Sequence, residues 1–281
     1  MYKIVVHPGS AHRDDFLSVC VLLATLGEGE VFRREPSGED LEDFNTFVVD
    51  TGMEYDPKRH NFDHHQDRTL PCAFHLIMKY LGNHEDAKSV FGWYPLMSMM
   101  DVRGPHNTAE HLGVAASVLL AASSPIDGFI LSRFSLVAVL RKGDLLYDLM
   151  KEMGEAMLSL IGLKKQRLDK LKREAEVVPV KQYKAVVSQI DGDPKLSMEL
   201  FLRDLDDDKI VICITPSVRG QGWELLRLGE SSRVDFLAIA KRPEVRFVHA
   251  NGYVATTWAR IPLERVLELA GRSIICPNQA D

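Results

Sequence analysis

The chain has 281 residues, room for about two domains of ordinary size, and 46% of them are hydrophobic, which excludes a disordered chain. A formal net charge of −6 excludes avid, non-specific binding along nucleic acid, while leaving a local basic groove open. The four cysteines (Cys20, Cys72, Cys213 and Cys276) form no CxxC pair, which excludes a zinc ribbon or a dithiol and suits a reducing compartment.

Tyr2–Val6 is apolar and β-branched and ends in His-Pro-Gly-Ser, so a buried strand followed by a loop is expected. The same run is too short for a secretory signal. Asp14 and Asp15 precede an apolar run from Phe16 to Leu23, which predicts a helix with acids at its N-terminus, ending near Gly27. A short strand is expected at Val31-Phe32 and a third at Asn45–Val49, ending at Asp50. Strand–helix–strand alternation predicts a parallel α/β sheet. The polar segment after Asp50, with Gly52, Pro57, His60, His64 and His65, reads as a loop. Helices are expected from Ala73 through Gly82, over Thr108–Ala122, and from Phe129 to about Ile161. Leu112–Ala122 is the longest apolar stretch and is far short of a membrane span, so a cytoplasmic protein with no membrane partner is expected.

The stretch Leu163–Glu176 is charged and helical in spacing. Its basic residues read as a solvated face, with Leu163, Leu168 and Leu171 packing on the other side. Beyond it, Tyr183–Ile190, Lys209–Thr215 and Val245–His249 read as strands. Arg219–Trp223 reads as a hairpin turn, and Pro262–Ala270 as a terminal helix. The expected organisation is a parallel-sheet α/β domain over 1–160, a linker helix over 161–180, and a smaller α+β domain over 181–281.

Four pieces carry chemistry: His7 to Asp15 after the first strand, Asp50 at a strand end, Asp63-His64-His65 thirteen residues later, and Asp101. Each is expected in a loop at the carboxyl end of a strand, where α/β sheets place their sites. Imidazole and carboxylate without thiolate suit Mn²⁺, Fe²⁺ or Zn²⁺, and with more oxygen Mg²⁺. So many acids in two short loops call for cations, and a pair of divalent ions also builds a hydrolase. Taken singly, each piece has an ordinary reading: Asp-His-His as a surface loop, Asp14-Asp15 as helix-end acids, Asp50 as a turn residue. The order and spacing of the set lift it above these. His60 reads as solvated and His75 as an ordinary helix residue.

These residues resemble the Myg family, a branch of the DHH phosphoesterase superfamily. The likeness rests on His7-x4-His12-x-Asp14-Asp15, Val48-Val49-Asp50-Thr51-Gly52, Tyr55-Asp56-Pro57 and Phe62-Asp63-His64-His65-Gln66. It continues in Ala73–Gly82, Gly222-Trp223 and Phe247–Tyr253. The resemblance implies a DHH-type N-terminal domain and two divalent ions, Mn²⁺ expected and Mg²⁺ the alternative. His7, His12, Asp14, Asp50, His64 and Asp101 would be the ligands, with Asp50 as the bridge. It assigns Asp63 to orienting a ligand, His65 to general acid or phosphate ligand, and Asp15 to a further ligand or a support. His249, Asn251 and Gly252 would hold the substrate. Arg103 is a candidate phosphate clamp on charge and nearness to Asp101.

The implied activity is a 3′–5′ exonuclease or phosphodiesterase on RNA or short oligonucleotides, using metal-activated hydroxide. A phosphatase for a small phosphorylated molecule and a non-catalytic metal-binding scaffold are the alternatives. The chain departs from the family in having Asp15 for Glu, Thr51-Gly52 for Val-Gly, and one acid followed by Val102-Arg103-Gly104-Pro105 where the family has two acids and Asn-Gly. The sequence does not speak to oligomeric state.

Overall fold

The structure is a computed structural model that describes residues 2–121, 124–190, 195–229 and 232–275. Cys276 and Ala122 lie outside these residues; Cys20, Cys72 and Cys213 are buried and free. The fold is mixed α/β, with two six-stranded sheets among the described residues, and the chain divides into two compact units, Met1–Leu163 and Lys164–Asp281.

In the first unit the chain runs β1 (Tyr2–Val6), α1 (Arg13–Leu26), β2 (Gly29–Arg33), α2 (Gly38–Glu42), β3 (Thr46–Val49), β4 (Tyr55–Asp56) and β5 (Asn61–Phe62). Helices α3 (Ala73–Tyr80), α4 (His84–Val90), α5 (Trp93–Leu112), α6 (Ala116–Ala121) and α7 (Pro125–Ser135) follow, then β6 (Val139–Leu140) and the long α8 (Leu145–Glu174), whose residues from Lys164 on belong to the second unit. The sheet order is β4-β5-β3-β1-β2-β6. β5, β3, β1 and β2 are parallel, and β4 and β6 close the edges antiparallel. Ile4, Val5, Val6, Phe47, Val48 and Val49 are all buried, as continuous apolar strands of a parallel sheet should be. β1 pairs with β2 on one side and β3 on the other, so the chain reverses its winding there. His7 and Asp50 follow directly on β1 and β3, at the crevice this reversal opens.

Several expectations change. The segment after Asp50 is not a plain loop: β5 adds to β3 in parallel and β4 folds back on β5. The long helix expected from Phe129 is interrupted, because Val139-Leu140 pairs with β2. The helix expected over Thr108–Ala122 is the end of α5 plus α6. Residues 161–174 continue α8, whereas 176–180 form a strand rather than the rest of a linker helix. Leu168 and Leu171 are buried, but Leu163 is exposed. His60 is not merely solvated: its ring stacks on Phe47 at 4.2 Å, and Nδ1 lies 2.9 Å from the Phe44 carbonyl.

The second unit contains β7 (Glu176–Val180), β8 (Tyr183–Val187), α9 (Lys195–Leu205), β9 (Ile210–Pro216), β10 (Trp223–Arg227), β11 (Val245–Val248), β12 (Val254–Thr257) and α10 (Leu263–Arg272). The order is β11-β12-β10-β9-β8-β7. β8 and β9 are the parallel pair, and α9 is the crossover between them. Ile212, Ile214, Trp223 and Leu225 point to one face, where they meet Phe236, Val266 and Leu269 in an apolar core. The turn at Arg219–Gly222 joins β9 to antiparallel β10, as a hairpin should.

Candidate metal centre

The carboxyl ends of β1 and β3 deliver His7 and Asp50, and the N-terminus of α1 delivers His12, Asp14 and Asp15. Asp50 takes a left-handed backbone (φ 56), uncommon for a residue with a side chain and typical of places where geometry is held for function. The helix N-terminus is tied by Asp15, whose Oδ1 accepts from the His12 backbone N–H at 2.9 Å.

Asp50 lies at the centre. Its Oδ2 is 3.5 Å from His7 Nε2, and its Oδ1 is 3.1 Å from His64 Nε2. His64 Nε2 is in turn 3.2 Å from Asp101 Oδ2. Three groups of donor atoms form, each with its atoms within 4.8 Å of one another: His7, His12 and Asp50; Asp50, His64 and His65; and His12, Asp14 and Asp101. Asp50 belongs to the first and second groups, and His12 to the first and third.

The donor atoms fit cations. Both oxygens of Asp14 are buried and make no hydrogen bond, while Oδ2 of Asp101 and Nε2 of His7 are buried with only imidazole–carboxylate contacts inside the cluster. The His7 Nδ1 donates to the Pro8 carbonyl at 2.7 Å, so the nitrogen turned toward the carboxylates is Nε2. Burial, with Asp50, Asp101 and Asp15 close by, pushes the Asp14 carboxyl well above the ordinary range. Burial and Asp50 also raise Asp101. Burial works against charge on His7, yet Asp15, Pro8 and Asp50 raise its pKa overall. Burial likewise opposes charge on His64, and Asp50, Asp101 and Asp63 outweigh it. The cluster gathers protons where it lacks other positive charge.

Asp63 is fully engaged. Its Oδ1 accepts from the backbone N–H groups of His64 (2.7 Å) and His65 (3.1 Å) and lies 2.7 Å from His65 Nδ1. Its Oδ2 accepts from the Met53 N–H at 2.6 Å. Burial would raise this carboxyl, but the bonds from His65 and Met53 hold it below the usual range. Asp63 thereby fixes the His65 ring and leaves Nε2 outward on a side chain that is 55% exposed.

Asp101 is not in a strand-end loop. It sits on α5, three residues before a break at Gly104 (φ 74, ψ 165). Pro105 disfavours helical backbone in the residue before it and lacks an N–H, and glycine tolerates the resulting left-handed φ. Buried Thr108 spans the break, its hydroxyl reaching the Met99 and Gly104 carbonyls at 2.9 and 2.8 Å. Arg103 is exposed on the same helix and belongs to none of the donor groups.

Asp15 also belongs to none of them; its Oδ2 pairs with His7 (3.0 Å) and Arg33 (3.2 Å). Arg33, at the carboxyl end of β2, was not among the expected residues. It also donates to the Gly9 carbonyl at 3.0 Å and lies over the Phe134 ring.

His249, Asn251 and Gly252 belong to the second unit, in the turn between β11 and β12. The His249 Nδ1 accepts from the Asn251 N–H at 3.1 Å, and its ring rests on Tyr253. Gly252 (φ 65) has a packing reason, since a Cβ there would fall 2.0 Å from Asp235 Oδ1.

Residues 3–75 match a family model, MYG1_exonuc, described as an uncharacterised protein family (UPF0160). The MYG1 exonuclease of Homo sapiens is 46% identical over 68 residues, 23% of this chain and 17% of that protein. The MYG1 exonuclease of Bos taurus is 44% identical over the same length and shares. The matched region thus spans about a sixth of these relatives' length. Two solved structures align along most of the chain. An uncharacterized protein from Helicobacter pylori G27 has a TM-score of 0.24 at 12% identity, covering 97% of this chain and 100% of its own. An exopolyphosphatase-related protein from Bacteroides fragilis has a TM-score of 0.27 at 9% identity, covering 95% and 90%. At those scores neither likeness carries an argument. The matched residues 3–75 hold every candidate ligand except Asp101.

Proposed function

We propose, from the match of residues 3–75 to the Myg family model, that this chain is a metal-dependent phosphoester hydrolase with a DHH-type centre, acting as a 3′–5′ exonuclease on RNA or short oligonucleotides. The observation that carries the reading is Asp50, the carboxylate common to the His7/His12 group and the His64/His65 group. One carboxylate shared by two sets of imidazoles is the donor arrangement of a binuclear centre.

His7, His12 and Asp50 would hold one ion. Asp50, His64 and Asp101 would hold the other, and Asp14 would be a further ligand in the group it forms with His12 and Asp101. When bound, such a pair supplies an acidified water and Lewis-acid polarisation of a phosphoryl oxygen; Mn²⁺ is the expected metal and Mg²⁺ the alternative. The chain's own residues do the rest. Arg33 and the α1 N-terminus hold Asp15, which keeps His7 and the His12 backbone in place. Asp63 orients His65 so that its outer nitrogen can hand a proton to the leaving oxygen. The overall charge of −6 favours short substrates over long polyanions. Substrate-end contacts fall to His249 and Asn251, and a phosphate contact to Arg103. A cytoplasmic location is part of the same reading; among the described residues no helix is long and apolar enough to cross a membrane.

The test is a 5′-labelled RNA oligomer incubated with the purified protein and Mn²⁺. The proposal expects a ladder of products shortened from the 3′ end, abolished by EDTA. Release of phosphate from nucleoside bisphosphates with the oligomer left intact would overturn the exonuclease assignment, and inertness toward both would overturn the hydrolase.

A further inference from the structure

The second unit carries a cavity of about 450 Å³, open on one side and built from its own residues, between α9 and one face of the sheet. That is within the size of small-molecule sites, about 300–1,000 Å³. α9 contributes Met198 and Leu202, β9 contributes Cys213 and Thr215, and β10 contributes Glu224 and Leu226. Strand alternation explains this set: Ile212, Ile214, Trp223 and Leu225 point to the opposite face and fill the core.

Two of the lining residues do not belong on the buried face of a strand under a helix. Glu224 is 9% exposed and Thr215 is 3% exposed. They stand directly opposite each other in the β9–β10 register. Among the described residues neither side chain makes a hydrogen bond or an ion pair. Buried polar groups are ordinarily satisfied, and a largely buried carboxylate without a protein partner is costly for a fold to carry. Here the two meet at the wall of a cavity, so a guest can satisfy both.

The charge around the cavity decides what kind of guest. Among the described residues no lysine or arginine lines it, whereas Glu199, Asp207 and Glu224 do. Asp207 is already matched by Lys184 at 2.7 Å and Glu199 is exposed, which leaves Glu224 as the most buried acid of the lining. A phosphate or carboxylate guest is therefore repelled. Burial and the neighbouring Glu224 push the Cys213 thiol up to about 12, so it stays a neutral wall.

We propose that this cavity binds a small organic cation, a protonated amine on an apolar body, with the ammonium on Glu224 and Thr215 and the body between Met198, Leu202 and Leu226. The site is distinct in its chemistry from the His/Asp centre and does not depend on the hydrolase reading.

The experiment is calorimetric titration of the full chain with three indoles of nearly one shape: tryptamine (cationic), tryptophol (neutral) and indole-3-acetate (anionic). Tryptamine is expected to bind saturably and at least tenfold tighter than tryptophol, with indole-3-acetate silent. Glu224→Gln removes the preference for tryptamine over tryptophol, and Thr215→Val weakens tryptamine binding. Leu202→Trp, which fills the cavity from the helix side, abolishes binding of both and serves if the strand variants do not fold. Absence of saturable tryptamine binding to the wild-type chain, equal affinity for the cation and the neutral isostere, or wild-type tryptamine binding by a folded Leu202→Trp variant would each overturn the proposal.

Discussion

Arg33 Nη1 lies 3.2 Å from Asp15 Oδ2 in an ion pair whose side chains are only 3% and 0% exposed. The pair sits directly behind the candidate ligands, since the other Asp15 oxygen holds the His12 backbone N–H. Removing one member of a buried pair leaves an uncompensated charge, a loss of roughly 3–5 kcal/mol. Arg33→Met is expected to lose that much in urea unfolding, and Arg33→Met with Asp15→Asn to recover part of it. An Arg33→Met variant as stable as the parent would remove Asp15 from its supporting role.

Asp14 gives a prediction with two signs. Its oxygens are buried without partners and face Asp50, Asp101 and Asp15. Bound divalent ions stabilise the folded state by mass action, so EDTA is expected to lower the wild-type melting temperature by several degrees. Asp14→Asn relieves repulsion among the acids and is expected to melt above the wild type in EDTA, while gaining less from added Mn²⁺. Equal melting of the two proteins in both conditions would count against a cation at Asp14.

His65 is held by Asp63 through a 2.7 Å contact at Nδ1, which suits proton transfer from its other nitrogen. General acid catalysis contributes roughly 10²–10⁴-fold when the leaving group needs a proton. His65→Gln is expected to lose about that much on an oligonucleotide and far less on bis-p-nitrophenyl phosphate, whose leaving group departs as a stable phenolate. Equal losses on the two substrates would point to binding rather than proton donation.

His75 sets a pH dependence away from the site. Burial, against a hydrogen bond to the Tyr94 carbonyl, lowers its pKa from 6.5 to about 4. In the unfolded chain it binds a proton near the ordinary value; in the fold it stays neutral. The unfolded state therefore holds more protons between these values, and stability rises with pH across the window. The contribution is complete above about pH 6.5 and is lost as pH falls toward about 4. Urea midpoints measured across that range should fall on acidification in the wild type and less steeply in His75→Phe. Parallel pH profiles would show that His75 is not the responsible group.

Much of the candidate centre could be read in the chain itself, because ligands at strand ends follow apolar runs that announce the strands. Val5-Val6 leads to His7 and Val48-Val49 to Asp50, and a sheet reversal at β1 brings those ends together. Other parts had no local signal. β4, β5 and β6 are two-residue strands, stabilised by the strands they pair with rather than by their own pattern. Asp101 reads as a loop residue because Gly104-Pro105 breaks the helix after it, while the Thr108 hydroxyl reaches across the break to the Met99 carbonyl. Arg33 ends a strand like many surface arginines; its burial depends on Asp15 and Phe134, contributed by other elements. Glu224 and Thr215 alternate correctly with core residues, and nothing in the sequence says that the face they occupy is covered.

In the proposed centre, His7 and His12 on one side and His64 on the other share the Asp50 carboxylate to hold a pair of ions. Elemental analysis of protein reconstituted with Mn²⁺ and desalted tests it most directly. Two ions per wild-type chain are expected, with both lost or severely weakened in Asp50→Ala. One ion or none in the wild type, or two ions retained by Asp50→Ala, would contradict it.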